Sequence, residues 1–171
     1  MQKFLIALPA ALLILSLPWP GAAMSKMNPL KACTFSEMEI SILFKGAPAR
    51  GAKITRTIEW KQERTDQFTT DDHGHVTLPA EFENHLLKAF PMEFVSAQHL
   101  AVQFEGKEYE IWNYAKRDAD LNSEMYGAPL QLTCELTSEP KTQRAFGSIV
   151  GTRCTWQPKN NSTINAEKEF T

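Results

Sequence analysis

This chain is short of the residues that usually announce chemistry. It has three cysteines in 171 residues, and none lies in the close C-x-x-C spacing that zinc and redox sites use. A metal centre built on sulfur is therefore excluded. Basic residues form no block: 18 Lys and Arg stand against 20 Asp and Glu, a balance that argues against nucleic acid as a partner. Beyond residue 17 no apolar run approaches the roughly 20 residues that a membrane helix takes. The four histidines, His73, His75, His85 and His99, are scattered. Residues 147–151, GSIVG, put Ser148 beside two glycines, but the order is not that of a G-x-S-x-G elbow and a strand follows where the elbow needs a helix. No internal repeat is present. Helical patterns do not alternate with strands, which excludes a doubly wound α/β fold.

What is present begins with a leader. Lys3 precedes the uninterrupted apolar residues 4–17, FLIALPAALLILSL, followed by Pro18 and Pro20 and then by Gly21, Ala22 and Ala23. Charge, apolar segment and small-residue site, in that order, describe a secretory signal peptide, with cleavage expected after Ala23. A second reading, a lipoprotein box at residues 30–33 (LKAC) that would tether Cys33 to a membrane, is disfavoured by Lys31 and by its distance from the apolar run. The expected organisation is a signal peptide over 1–23, a lead-in over 24–35, one domain over 36–157 and a disordered tail over 158–171. The mature chain has no transmembrane segment and is placed in the periplasm or outside the cell. In an oxidising compartment three cysteines make one disulfide and leave one thiol over. Cys134 and Cys154 lie in strand-like runs either side of a connection centred near residue 144, as opposite positions of a hairpin would. They are the expected pair, with Cys33–Cys134 the alternative.

The domain is patterned for short strands. In residues 36–44 (SEMEISILF), Met38, Ile40 and Ile42 alternate with Glu37, Glu39 and Ser41. Residues 45–51 (KGAPARG) form a turn cluster. Alternation resumes over 52–60, with Ala52, Ile54, Ile58 and Trp60 inward and Lys53, Thr55 and Glu59 outward. Residues 64–68 (RTDQF) suit a loop or a short edge strand, and HVTLP (75–79) a strand that Pro79 stops. Between Ala80 and Phe90 the period changes: Phe82, Leu86, Leu87 and Phe90 fall at helical spacing before Pro91, which predicts a short helix. Residues 99–114 form the clearest hairpin, turning at Gly106. A polar excursion spans 115–129, and strands over 130–136 and 146–156 close the domain. The fold class expected is mainly β, an antiparallel sandwich, Ig-like or prealbumin-like, of seven to eight strands with one short helix.

The densest cluster of functional groups is TTDDHGHVTLP, residues 69–79. His73 and His75, two apart on a strand, with Asp71 or Asp72, have the elements of a metal shell. Asp-Asp-His-Gly is also turn chemistry, in which Asp bonds the backbone ahead and Gly74 takes a positive φ, and this reading wins. Asp118, Asp120, Asn122 and Glu124 have the spacing of a calcium loop, but Ser123 stands where such a loop needs glycine and Pro129 where it needs its bidentate glutamate. A polar loop with Asx turns is expected there. Trp60, Trp112 and Trp156 are expected in the core, and Tyr109, Tyr114 and Tyr126 are candidates for a binding face, since tyrosine tolerates one wet end. Cys33 carries no nucleophile signature.

Residues 45–60 followed by 69–79 resemble the carboxypeptidase-regulatory-like (transthyretin-like) sandwich modules, through Gly46, Pro48, Gly51, Ala52, Thr70, Asp71 and Gly74. In those modules the Asp and Gly shape a turn and are not catalytic. Cys33, GKEYEIW (106–112) and LNSEMYGAPLQLTCEL (121–136) further resemble a family of small secreted bacterial proteins of unknown function, which implies a Gram-negative exported protein and transfers no catalytic residue. The function expected is a non-catalytic periplasmic domain that binds a protein, a toxin or another envelope protein. One concrete form is an immunity protein against a periplasm-targeted type VI effector such as a phospholipase. The alternative is a module for a small ligand, carbohydrate or metal. No catalytic, cofactor or metal residue is assigned, and the only residues given a definite role are Cys134 and Cys154.

Overall fold

The computed structural model describes residues 30–85 and 93–156. The expected signal peptide and tail lie outside them. Thirteen strands run through the described residues: β1 (Lys31–Phe35), β2 (Met38–Phe44), β3 (Ala47–Pro48), β4 (Lys53–Glu59), β5 (Glu63–Thr69), β6 (His75–Leu78) and β7 (Glu81–Asn84). After these come β8 (Ser96–Phe104), β9 (Lys107–Lys116), β10 (Leu130–Glu135), β11 (Lys141–Ala145), β12 (Ser148–Thr152) and β13 (Cys154–Trp156), with one 3-10 turn at Ser123–Met125 between β9 and β10. A six-stranded sheet has the order β11-β12-β9-β8-β4-β5, and a five-stranded sheet the order β13-β10-β2-β3 with β6 also paired to β2.

The two sheets face each other across one core, because each strand turns its apolar parity inward. The five-stranded sheet contributes Met38, Ile40, Ile42, Leu78, Leu130 and Leu132, and the six-stranded sheet Ile54, Ile58, Leu100, Val102, Trp112 and Val150. Each buried aliphatic side chain among these supplies about 1.5–3 kcal/mol. The result is a β-sandwich, mostly antiparallel. One pairing departs from that pattern: β2 and β10 run parallel, from Met38↔Leu130 to Leu43↔Glu135. The hairpin β8–β9 turns at Glu105–Gly106, both at positive φ, and RTDQF lies in an edge strand, β5, whose exposed Glu63 and Arg64 discourage further pairing.

Three expectations need correction. The helix starting at Ala80 is not formed over its first half, where Glu81–Asn84 is β7, paired with β1 as a separate two-stranded sheet. Residues 86–92 lie outside the described residues. A period of two wins because Glu81 and Glu83 share one side and meet Arg56 and Arg64, while Phe82 stays partly exposed. The second correction concerns β1: Lys31–Phe35 falls inside the expected lead-in, yet Ala32, Cys33 and Phe35 are buried. The third concerns only the connection between the two cysteines of the disulfide, whose expected pairing is the one formed.

Cys134 and Cys154 are directly opposed on β10 and β13 and joined by a disulfide, which leaves Cys33 free and buried. They do not close a simple hairpin. The hairpin β11–β12 between them belongs to the other sheet, where β12 pairs with β9. The bridge therefore closes a loop that crosses the sandwich. With 20 residues of separation, loop-closure entropy gives the bridge about 3 kcal/mol. Replacing both cysteines by alanine is expected to lower the urea-unfolding free energy by that amount, and a loss below about 1 kcal/mol would show the crossover to be self-sufficient.

The turn between β2 and β3 supplies an acid-sensitive contact. Glu135 accepts the N–H groups of Lys45 (3.0 Å), Gly46 (2.8 Å) and Thr137 (3.0 Å) and the Thr137 hydroxyl. Desolvation raises its pKa, but the Thr137 hydrogen bonds and then those of Gly46 and Lys45 outweigh it and hold the carboxyl at about 2. A carboxyl depressed on folding stabilises the native state above its ordinary value of 4.5, and that contribution is lost as pH falls from there towards about 2. Glu135→Gln is expected to flatten the acid limb of stability against pH in that window. An unchanged limb would place the acid sensitivity elsewhere.

Candidate binding face

The outward parity of the five-stranded sheet is polar, and strand register gathers it into two rows. Thr77, Glu39 and Gln131 lie side by side across β6, β2 and β10. His75, Ser41, Thr133 and Thr155 do the same across β6, β2, β10 and β13. These rows floor a groove of about 910 Å³ that Met125, Ala128 and Pro129 also line, while Trp156, register partner of inward Leu132, turns its indole to the core side of the sheet. Glu39 Oε2 accepts from Gln131 Nε2 at 3.0 Å.

An aromatic file runs along the core side of β13. Trp156, only half-buried, packs at a tilt on Phe146 at 5.4 Å between centroids, and Phe146 meets Tyr126 edge-to-face at 5.4 Å. Behind them Trp156 meets Trp112 at 6.5 Å. Phe146 (φ 53°) and Tyr126 (φ 51°) both occupy the left-handed region, which costs a side-chain-bearing residue roughly 1–2 kcal/mol. Tyr114 fixes the first of them by donating its hydroxyl to the Phe146 carbonyl oxygen at 3.2 Å. Of the expected binding-face tyrosines, Tyr126 is 64% exposed, Tyr114 is buried and Tyr109 packs on Phe44. Of the tryptophans expected in the core, Trp112 is fully buried and Trp156, half-buried, packs against it.

The loop that carries Met125 and Tyr126 is anchored from inside. Lys116 and Glu124, both fully buried, pair at 2.6 Å. Glu124 also accepts from the Ser36 hydroxyl (2.6 Å), the Ser36 N–H (3.1 Å) and Gln98 Nε2 (2.9 Å). Lys116 Nζ donates further to the Ser123 hydroxyl (2.7 Å) and the Asp120 carbonyl (2.8 Å). Four bonds on the carboxylate and three strong ones on the ammonium satisfy both charges, the condition for burying an ion pair. The expected polar loop with an Asx turn is what forms over the calcium-like spacing. The Glu124 carboxylate, the Asp120 backbone carbonyl and the Ser123 hydroxyl are taken by the Lys116 ammonium, and the Asp118 carboxylate accepts the Asp120 N–H at 2.8 Å. The segment is thus a tether and not merely a polar excursion.

TTDDHGHVTLP is a turn that carries the chain from one sheet to the other. Asp71 Oδ1 accepts the N–H groups of His73 and His75, each at 2.8 Å, and these bonds, His75's first, hold its carboxyl below the ordinary value. Gly74 sits at φ 74°, where a Cβ would lie 2.5 Å from the Ile42 carbonyl oxygen. Thr70 completes the turn, donating to Ala49 O at 2.6 Å and accepting from Ala52 N at 2.9 Å. Both imidazoles are exposed, and Asp72 reaches Arg50 at 3.3 Å.

Elsewhere, His99 meets Glu110 at 3.2 Å and His85 packs on Trp60. Cys33 Sγ donates to Phe35 O at 3.2 Å, and burial raises its pKa against the opposing pull of Ser36 and Lys116. Two buried cations were missed by sequence reasoning, Arg56 and Lys116. Parity marks both: Arg56 lies between inward Ile54 and Ile58, and Lys116 follows inward Trp112 and Tyr114.

Fold and face together describe a small β-sandwich with one polar, concave sheet surface. The family described as Domain of unknown function (DUF6795) matches residues 38–139, and the chain belongs to that family. Neither a curated protein nor a solved structure matches it. No helix among the described residues is long and apolar enough to cross a membrane.

Proposed function

We propose that this protein is a non-catalytic binding domain of the bacterial envelope, exported by its leader, which works by holding another molecule on the outer face of the five-stranded sheet. The groove on that face is the observation that carries the reading: it is the right size for a ligand, within the usual range of about 300–1,000 Å³, and its floor is rigid sheet. The buried ionisable pair Lys116–Glu124 is committed to itself, and the Asp71 carboxylate to its own turn, which supports a binding role over acid–base work. Burial of Cys33 in β1 supports a cleaved leader over acylation, because an acylated sulfur has to leave the interior. The turn at 69–79 is the structural one that the transthyretin-like modules would supply.

One form of the reading has a protein partner, such as a toxin that the domain neutralises in the periplasm as an immunity protein. It is tested by capture from periplasmic extract and reconstitution with the purified partner. Wild type is expected to give a stoichiometric complex and Thr133→Arg, which projects into the groove, none. Absence of any complex with the wild type removes this form. The second form, a small ligand, is favoured by the polar side chains of the lining, which are mostly uncharged hydroxyl and amide.

A further inference from the structure

We propose that the free edge of β11 takes an extended acidic segment of another protein as an added strand, on a surface separate from the groove. β11 ends the six-stranded sheet. Its hairpin with β12 turns through two residues, Phe146 and Gly147, so the flanking pair Ala145↔Ser148 exchanges both backbone bonds and bonding alternates from there. Ala145, Gln143 and Lys141 therefore bond β12, while Thr142 and Arg144 turn N–H and C=O away from it. Among the described residues no turn or loop bond uses the backbone of either. Each thus offers a donor and an acceptor along one line, the template a further strand needs.

Both faces of such a strand find room. Lys141 and Gln143 align with buried Thr152 and Val150 yet are exposed, so β11 reaches past the cover of the opposite sheet. Thr142 and Arg144 lie on the outer face, aligned with Gly151 and with Ile149, itself 55% exposed.

Charge selects the partner. The charged residues of β11 are Lys141 and Arg144, both positive, and neither forms an ion pair among the described residues. In a two-fold pairing with a second copy centred on Gln143, Arg144 would oppose Thr142 and lie diagonal to its own counterpart, about 7–8 Å away on one face. Like charges so placed repel, and a neutral strand would leave both cations unanswered. A strand bearing carboxylates sets one across from Arg144 on the outer face and another across from Lys141 on the inner. The edge strand β5 is the contrast: Glu81 and Glu83 engage its Arg64, and Arg56 engages its Asp66.

The test uses the mature chain and a capped peptide of alternating glutamate and valine, about seven residues long so as to span β11. Two control peptides accompany it: one with lysine for glutamate, and one N-methylated throughout, which keeps the charges and loses every donor. Binding is read by calorimetry and by hydrogen exchange. The glutamate peptide is expected to bind below about 1 mM, about tenfold or more tighter than either control, and to slow exchange of the Thr142 and Arg144 amides about tenfold or more. Lys141→Glu with Arg144→Glu should reverse the preference to the lysine peptide. Thr142→Pro removes a free-edge donor and no ladder bond, a placement that proline tolerates, so it should keep the melting temperature yet weaken binding about tenfold or more. Thr133→Arg, in the groove, should leave the peptide bound. Failure of the glutamate peptide at about 1 mM, equal binding of either control, or protection confined to other strands overturns the inference. So does a wild-type dimer that Thr142→Pro dissociates, since a second copy would then be the occupant. Loss of the peptide with Thr133→Arg alone would put it in the groove, and the edge would fall while the binding face stands.

Discussion

Replacing Glu124 by alanine is expected to lower the unfolding free energy by about 3–5 kcal/mol, the loss typical of stranding one charge of a buried pair. Lys116 and Glu124 are each fully buried, so neither survivor can turn to water. The ammonium would keep Ser123 and the Asp120 carbonyl but lose its counter-charge, the Ser36 N–H would lose its acceptor, and the Gln98 amide would keep only the Thr34 carbonyl. Lys116→Met alone leaves the carboxylate unpaired and should cost a similar amount. Joining Lys116→Met with Glu124→Leu should recover most of the loss, since apolar replacements of a whole buried pair are often neutral or stabilising. Urea midpoints of the two single variants and the double variant decide it. If the single changes cost under about 1 kcal/mol, the pair is open to water and the tether argument fails. The same variants probe the binding face, because the network holds the loop that places Met125 at the end of the groove.

The residues that make the fold legible are those whose parity is unmixed. Met38, Ile40 and Ile42 against Glu39 and Ser41 define β2 and its inward side, and Gly106 between alternating runs defines the β8–β9 turn. Pairing of strands distant in sequence has no such local signature. Nothing near Met38 or Leu130 indicates that their strands lie parallel, and nothing near Cys134 indicates that the chain visits the opposite sheet before returning to Cys154. The groove is a product of that register: Ser41, Thr133, Thr155 and His75 come from four strands and become a row only when those strands are adjacent. The cluster at 69–79 was the reverse case. Asp71, Gly74 and the histidines lie within five residues of one another, so local turn chemistry determines their geometry. Arg56 and Lys116 were hidden by type and not by position, because charged side chains are rarely buried without partners and their partners lie elsewhere in the chain.

Arg56 leads to the second large effect, and it also explains why β7 is a strand. Its guanidinium is sandwiched between Phe35 and Phe68, 4.6 and 5.1 Å from their centroids. It grips both oxygens of Asp66 and donates to Pro79 O at 2.6 Å and Glu81 at 3.2 Å. One side chain thus joins β4, β5 and the start of β7, and so holds the β1–β7 sheet against the six-stranded one. Arg56→Ala is expected to cost about 3 kcal/mol, less than the upper end for a buried pair, because Asp66 and Glu81 remain partly exposed and can hydrate. Arg56→Lys should recover little: an ammonium cannot make the planar two-point contact or fill the space between two rings. The distinguishing measurement is hydrogen exchange. Loss of Arg56 should expose the amides of Ala32, Cys33, Phe82 and Glu83 well before those of β8 and β9. If β1 and β7 stay as protected as the central strands, the small sheet is held by Phe35 packing alone. The guanidinium would then be an occupant of the interface and not its clamp.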